Sequence, residues 1–223
     1  MFKFKGISSN DMNVVIEEEE HFLARAAHKY DTTSIEGRDG DIIETMGYSN
    51  VERPIKVQIL NKDRLDDIFS WLNGTGEFQY KNRVTEAHFL QMVEPIRSSS
   101  IYVADFMFIR ASCWYKAEDE FIVVENSISN DGNVYSMPII RLEKGSENFI
   151  ELSIANVRFS YDFQDEEYVE IDCKEMFASY DNISRNRRLT IGYEYPILSP
   201  GSNEIVIHTG DPTIKIKRKD CWL

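Results

Sequence analysis

The chain has 223 residues, of which 42% are hydrophobic and 12% aromatic, enough to form one large β domain or two domains of ordinary size. Its formal net charge of −13 is uneven: residues 1–117 carry 14 Lys/Arg against 18 Asp/Glu, and residues 118–223 carry 11 against 20. A surface that grips nucleic acid needs clustered Lys/Arg, so specific nucleic-acid binding is not expected. Without a run of 18 apolar residues or a basic segment followed by an apolar one at the start, we expect neither membrane insertion nor a secretory signal.

The three cysteines, Cys113, Cys173 and Cys221, are widely spaced and form no CxxC pair. This spacing indicates neither a zinc knuckle nor a disulfide framework. We therefore predict that all three are small hydrophobic residues in a reducing compartment.

The first strands of the chain are separated by turn chemistry. Phe2 and Phe4 begin a short alternating strand, and a second strand carries Tyr30 and Ile35. That strand ends in the sequence Gly-Arg-Asp-Gly at 37–40, where glycine permits a positive φ that other residues resist. These patterns predict two strand segments with a tight turn after the second.

One segment, near 61–73, is predicted to be a helix. Its apolar residues recur at the helical spacing i, i+3, i+4 and i+7, with Asn61 or Asp63 as the N-cap and Asn73-Gly74 as the stop. The stripe consists of Leu65, Ile68, Phe69 and Leu72. Alternating strands precede the helix (Ile55, Val57, Ile59) and follow it (Phe78, Tyr80), and a long strand is predicted over Ile101–Tyr115, fed by a turn at Glu94–Ser100. This half is predicted to be an α+β unit, an antiparallel sheet or sandwich with one packed helix.

The remainder of the chain alternates with period two and is predicted to be a β-sandwich. The alternating sets are Ile150, Leu152 and Ile154; Val157, Phe159, Tyr161 and Phe163; Val169, Ile171 and Cys173; Ile205 and Ile207; and Ile214 and Ile216. We place an N-terminal domain at 1–125 with its helix near 61–73, a linker at about 126–133, and a C-terminal β-sandwich domain at 134–223. The predicted fold class is therefore mainly β.

Five short motifs follow one another along nearly the whole chain. They are the Gly37–Gly40 turn, the stretch Gly132–Ile140, the strand fragment Ile171-Asp172-Cys173, the Pro-Gly turn within Leu198–Ile205, and the basic-aromatic ending Arg218–Leu223. In this order they resemble the distal tail (Dit) proteins of long-tailed, siphovirus-type phages. Each motif is only a turn or strand fragment, so the resemblance depends on their common order.

The resemblance implies a structural virion protein rather than an enzyme, with no cofactor. It implies a homohexameric ring that joins the tail tube to the tail tip or baseplate, docks tail-associated and receptor-binding proteins, and leaves a channel for DNA. The C-terminal sandwich is expected to be galectin-like or carbohydrate-module-like, and the protein is expected in the virion tail tip after assembly in the bacterial host cytoplasm. In such a ring, an acidic lumen would let DNA slide, which is a hypothesis from the net charge.

The sequence offers no convincing constellation for catalysis or metal binding. The four histidines, His21, His28, His88 and His208, show no HExxH or HxH spacing. Five acids crowd one predicted turn, namely Asp162, Asp165, Glu166, Glu167 and Glu170. A solvated turn is the preferred interpretation; calcium binding at Asp162–Glu167 and glycosidase-like catalysis are the alternatives. Glu17–Glu20 is interpreted as a charged loop that could face a partner or a lumen. We therefore predict no catalytic, cofactor or metal site and assign no interface residues.

Aromatic residues in the second half suggest one alternative function, a carbohydrate-binding module that recognises host cell-wall saccharides. The residues are Tyr161, Phe163, Tyr168, Tyr180, Tyr193 and Tyr195. Alternation places Tyr161 and Phe163 on one face of a strand, where core packing is the default interpretation.

Overall fold

The computed structural model describes residues 1–17, 19–90, 95–98 and 100–223. The chain divides into two compact units, Met1–Ala117 together with Leu223, and Glu118–Trp222. Neither unit contains a described helix long and apolar enough to cross a membrane.

The N-terminal unit is built mainly from antiparallel strands. They are β1 (Phe2–Phe4), β2 (Ile7–Ser8), β3 (Val14–Ile16), β4 (His28–Thr33), β5 (Ile42–Tyr48), β6 (Val51–Ile59), β7 (Gly74–Tyr80), β8 (Arg83–Leu90), β9 (Ile96–Ser98), β10 (Ile101–Arg110) and β11 (Trp114–Lys116). The main sheet has the order β2-β1-β7-β8-β10-β6-β3, with β9 paired to β10 and β11 to β8. The long strand predicted at Ile101–Tyr115 is therefore two strands, and part of the turn predicted at Glu94–Ser100 lies outside the described residues.

Because side chains alternate along these strands, aromatic residues from several strands lie on one side of the sheet and form a core. Phe4, Phe78, Phe89 and Phe108 are fully buried. The Phe78 ring centroid lies 4.9 Å from that of Phe108 and 6.2 Å from that of Phe89. Tilted and edge-on ring pairs of this kind stabilise a core beyond the burial of their area.

The predicted helix near 61–73 is present as a 3₁₀ turn, Lys62–Arg64, followed by α1 (Leu65–Trp71). The Asn61 side chain accepts a hydrogen bond from the Asp63 backbone N–H at 3.1 Å, so Asn61 is the N-cap. Ile68, Trp71 and Leu72 are buried, and burial of each contributes about 1.5–3 kcal/mol. The indole N–H of Trp71 donates to the Phe4 carbonyl at 2.8 Å, which ties the helix to β1.

The C-terminal unit is a β-sandwich. Its strands are β12 (Ile122–Val124), β13 (Ser127–Asn130), β14 (Ile139–Glu143), β15 (Phe149–Ile154), β16 (Val157–Asp162), β17 (Tyr168–Asp172), β18 (Phe177–Tyr180), β19 (Ile183–Ser184), β20 (Leu189–Ile191), β21 (Gly201–Thr209), β22 (Thr213–Lys217) and β23 (Cys221–Trp222). A short 3₁₀ helix, Asn186–Arg188, precedes β20, and another, Glu19–Leu23, lies in the N-terminal unit.

Two antiparallel sheets of this unit share one hydrophobic core. Their orders are β12-β22-β14-β17-β18-β19 and β13-β21-β15-β16-β20. The core draws on the inward positions of both sheets, including Ile140 and Ile171 from the first and Leu152 and Phe159 from the second. The predicted fold class, mainly β with one packed helix followed by a β-sandwich, is confirmed.

The Pro-Gly turn within Leu198–Ile205 is held by Asn203. Its buried amide donates to the carbonyls of Ser199 and Gly201, each at 2.9 Å, and accepts from the Ser199 N–H at 2.9 Å. Gly201 has φ +90°, which explains why glycine stands there. This turn places Leu198 and Ile205 in the core.

The stretch predicted as a linker at about 126–133 contains a strand. Ser127–Asn130 pairs with β21 through four residues, and the compact units divide between Ala117 and Glu118 instead. The segment was assigned to a linker because Ser and Asn dominate its sequence, and only Ile128 and Asn130 of the strand are buried.

The cysteine prediction is correct for one residue only. Cys173 is a free, buried thiol. Cys113 and Cys221 are disulfide-bonded, so the prediction of reduced cysteines is wrong for both. Wide spacing gave no indication of this, because pairing cannot be deduced from sequence alone.

Candidate assembly site

The candidate site is a β-hairpin formed by β4 and β5, whose strands pair only with each other among the described residues. We call residues 28–48 the arm. At its base, the Ser49 backbone N–H donates to the Ala27 carbonyl at 2.9 Å, and the Ser49 hydroxyl donates to the same carbonyl at 3.2 Å. No residue of the arm is buried, and every residue of β4 is exposed.

The tip of the arm is the predicted Gly-Arg-Asp-Gly turn. Gly37 and Gly40 have φ values of +82° and +79°, the region that favours glycine. The Arg38 N–H donates to the Ile35 carbonyl at 3.1 Å, and the Ser34 hydroxyl donates to Asp41. Tyr30 lies in the strand, as predicted, but Ile35 lies in the turn, because the strand ends at Thr33.

One face of the paired strands of the arm carries four neighbouring uncharged side chains. Directly opposed residues of an antiparallel pair share a face, and Tyr30 lies opposite Thr45 while Thr32 lies opposite Ile43. We call these four residues the uncharged face. Tyr30 is 68% exposed and Ile43 69% exposed. Thr32, Ile43 and Thr45 are not predictable as site residues, because alternation alone does not tell which strand lacks a covering layer.

The other face carries two carboxylates in direct opposition. Asp31 lies opposite Glu44. Like charges at such positions are destabilising, and two unpaired carboxylates can be kept only where water solvates them. Water solvates this pair best, although Met46, which is 63% exposed, lies on the same face by alternation. The uncharged face is therefore the one better suited to burial.

An isolated two-stranded hairpin is only marginally stable in water. Exposed apolar side chains collected on one surface mark an interaction site more often than scattered ones do. The arm combines both features, so its uncharged face is the strongest candidate for contact with another molecule.

The acidic loop at Glu17–Glu20 is held largely by its own unit. Glu17 accepts from the Gln58 amide at 2.9 Å, and Glu19 accepts from the terminal ammonium of Met1 at 2.8 Å and from the Tyr80 hydroxyl at 2.6 Å. These hydrogen bonds lower the pKa of Glu19. Burial and the bond to Glu19 raise the pKa of Tyr80 to about 12. Glu18 lies outside the described residues.

The five acids at 162–170 do not form a common site. Glu166 is turned inward and nearly buried, whereas Asp162, Asp165 and Glu167 are exposed. Glu170 forms an ion pair with Arg141 at 3.1 Å. No group of three or more His, Cys, Asp or Glu within the described ranges could hold a metal ion. Calcium binding and catalysis at this turn therefore have no support in the geometry.

Glu166 organises a polar cluster inside the C-terminal unit. It accepts from the Tyr161 hydroxyl at 2.6 Å, from Arg185, and from Arg188 at 3.0 Å. Burial alone raises the pKa of the Glu166 carboxyl, but the hydrogen bonds and both cations outweigh it, so the pKa lies below its ordinary value. Burial and the same carboxylate raise the pKa of Tyr161. The carboxylate is thus occupied by structural partners.

The four histidines lie apart and form no shared site. His21 contacts the Pro54 carbonyl at 3.0 Å, and the His28 ring packs on Tyr48 at the base of the arm. His88 and His208 share hydrogen bonds with the hydroxyls of Thr75 at 2.7 Å and Ser153 at 2.8 Å. The nearby carboxylate of Glu151 accepts hydrogen bonds from Nε and Nη2 of Arg158, at 2.9 and 2.8 Å, so it does not complete a triad with Ser153 and His208.

The six aromatic residues considered for sugar stacking do not form a platform. Tyr161 and Phe163 are fully buried in the core, as alternation predicts. Tyr168 is covered by the Arg141 guanidinium at 3.9 Å and packs against Tyr180. Tyr195 is partly buried and donates to the Met176 carbonyl. Tyr193 alone among the six is fully exposed.

No protein-family model matches the chain, and no curated protein matches it in sequence. Among solved structures, the chain is similar to the Dit protein of phage SPP1, described as a paradigm of the hub adsorption apparatus in phages that infect Gram-positive bacteria. The TM-score is 0.77 at 12% identity, and the match covers 96% of each chain. The phage P2 baseplate in its activated conformation with Ca gives a TM-score of 0.47 at 10% identity, covering 96% of this chain and 93% of that one; a score this low supports no inference.

The match to the SPP1 protein extends over both units, in agreement with the colinear motifs of the sequence. At 12% identity it shows the fold alone. The resemblance predicted from the sequence is confirmed at that level, and the chain has the fold of a phage distal tail protein.

Proposed function

We propose that the chain is a structural protein of a phage tail tip, in which six copies form a ring that joins the tail tube to the tip or baseplate. Two observations support the proposal. The fold is that of a protein described as a hub of an adsorption apparatus. The N-terminal unit also carries an arm whose uncharged face is exposed, with Tyr30 at 68% and Ile43 at 69%.

The arm is the observation that best supports a ring. A protruding element that contacts a different surface on the next copy makes a heterologous contact, and such contacts close into a ring when the rotation allows it. Within the ring, we assign the uncharged face to the neighbouring copy and the Asp31–Glu44 face to water. Burial of that acidic face would leave two carboxylates without a counter-charge.

The same proposal assigns roles to the rest of the chain. The ring encloses a channel for DNA, and an overall charge of −13 opposes tight contact with phosphates. The C-terminal sandwich docks receptor-binding and other tail-tip proteins. The function is mechanical rather than enzymatic, and the protein resides in the virion tail after assembly in the host cytoplasm. The carbohydrate-module alternative stays a prediction, with no aromatic platform to favour it.

Deletion of the arm tests the ring contact. Ala27 and Ser49 are already hydrogen-bonded, so an Asn-Gly turn between them can replace residues 28–48 without displacing the ends. We expect light scattering to show six wild-type chains per particle, for the protein alone or, after the mass of the tube protein is subtracted, in complex with its tail tube protein. The deletion variant should show one chain per particle. At concentrations where neither protein assembles, thermal unfolding of the variant should match that of the wild type, because the arm contributes no buried residue.

A shortened arm provides the matched control. Replacement of residues 35–40 by Asn-Gly removes the tip but keeps Tyr30, Thr32, Ile43 and Thr45 in register. This variant should assemble as the wild type does. A deletion variant that still assembles, or a wild type that stays monomeric under both conditions, would contradict the proposal.

A further inference from the structure

Arg110 is a buried guanidinium without a carboxylate partner. It ends β10 and is 1% exposed. Ala104, Phe106 and Phe108 occupy the preceding inward positions of the strand, so period two predicts an apolar side chain at 110. None of the ion pairs in the described parts of the chain includes Arg110. An uncompensated buried charge is costly and calls for a specific role.

The guanidinium is used to hold backbone. Its Nε donates to the Phe22 carbonyl at 3.2 Å, and one terminal nitrogen donates to the Ala24 carbonyl. The other terminal nitrogen donates to the carbonyls of Ala111 at 2.7 Å and Ser112 at 3.0 Å. The Trp114 ring lies 5.0 Å from the guanidinium carbon. Four carbonyl groups are thus joined by one planar group, which a lysine ammonium, with its single nitrogen, could not span.

Two of these carbonyls belong to the segment that leads into the arm, residues 22–27, which we call the outgoing leg. Phe22 and Ala24 precede the first arm residue, and the Phe22 ring packs on Phe78 at 4.7 Å and Phe108 at 5.2 Å. The segment that follows the arm, residues 49–51, which we call the return leg, also contacts Arg110. Val51 lies directly opposite Arg110 in the β6–β10 pair. Arg110 therefore contacts the outgoing leg through its side chain and the return leg through the sheet.

The direction in which the arm leaves the unit depends on the outgoing and return legs, which together we call the root. The six residues of β4 span about 20 Å, so a 10° tilt at the root moves the tip by about 3 Å. A shift of that size at each of six contacts would prevent a ring from closing. The rigidity of the root thus matters for ring closure beyond the free energy that its hydrogen bonds contribute to folding.

We propose that Arg110 is a positioning residue that fixes the direction of the arm, because its side chain clamps the outgoing leg to the strand that pairs with the return leg. The consequence for ring closure rests on the proposed function; the clamp itself does not. A role in stability alone makes a different prediction, because an apolar residue of similar volume often replaces a buried charge without loss.

Pulsed electron paramagnetic resonance measures the clamp directly. Nitroxide labels are placed at the arm tip and on β1 through Arg38→Cys and Lys3→Cys, and labelled chains are diluted in unlabelled ones so that only distances within one chain are observed. We expect a narrow distance distribution in the wild type and at least a doubled width in Arg110→Lys and Arg110→Met. Arg53→Lys, an exposed arginine on β6, is the matched control and should leave the width unchanged.

Arg110→Met separates positioning from stability. Positioning predicts a folded protein with unchanged or raised thermal stability and a broadened arm distribution. A folded Arg110→Met or Arg110→Lys variant with the wild-type width would overturn the inference, and so would failure of both variants to fold, since Arg110 would then serve the whole unit. Absence of rings in the wild type, together with the expected broadening in the Arg110 variants, would refute the proposed function and leave the clamp intact.

Discussion

Replacement of Ile43 by lysine is expected to abolish ring assembly while the chain stays folded. Ile43 is 69% exposed in the chain and lies opposite Thr32 on the uncharged face. A lysine there would bring an unpaired ammonium into the proposed contact, weakening each contact by at least about 2 kcal/mol, or roughly thirtyfold in dissociation constant. Light scattering over a range of protein concentrations would show the loss of the assembled species.

Glu44→Lys is the matched control, one residue along the same strand on the opposite face. It replaces the Asp31–Glu44 repulsion by an attraction across the strands, so assembly should persist and the arm should become more ordered. Equal loss of assembly in both variants would show that the two faces are not distinct. Assembly of the Ile43→Lys variant at the same protein concentration as the wild type would show that the uncharged face is not the ring contact.

Glu166→Gln is expected to destabilise the C-terminal unit by about 2–3 kcal/mol, because the substitution leaves Arg185 and Arg188 without their shared carboxylate. The estimate is below that for a fully buried pair because both arginines partly contact water. Urea unfolding at neutral pH measures the change. Glu167→Gln, at the exposed neighbouring position, should alter the free energy of unfolding by less than about 0.5 kcal/mol.

The same substitution should alter the acid dependence of stability. The folded-state pKa of Glu166 lies below its unfolded value, so its contribution is present above the unfolded pKa and is lost as pH falls through the folded one. The difference in free energy of unfolding between wild type and Glu166→Gln should therefore shrink as the pH is lowered below the ordinary range of a glutamate. A difference independent of pH would show that the carboxylate charge is not what stabilises the cluster.

The sequence predicted those elements whose periodicity reflects burial. The helix near 61–73 follows from Leu65, Ile68, Phe69 and Leu72, although Trp71 is buried more deeply than Leu65 and Phe69. The second-unit strands follow from strict alternation in the same way. Ser127–Asn130 was missed because a polar edge strand with one apolar side chain has no such pattern.

The assembly site was less accessible from the sequence. A strand near Tyr30 and a tight turn at 37–40 were predicted, but only the structure shows that the hairpin they form pairs with no other described strand. Arg110 breaks the alternation of its strand, but its partners at Phe22 and Ala24 are not predictable, since they are backbone carbonyls 86 or more positions away. Contacts of that kind depend on tertiary structure and leave no trace in residue spacing.

Negative-stain imaging of the purified protein, alone and mixed with its tail tube protein, tests the central claim most directly. The account predicts closed rings of six copies with an open centre, and their absence in the arm-deleted variant. Single particles without rotational symmetry in both samples, at concentrations where the protein is folded, would contradict it.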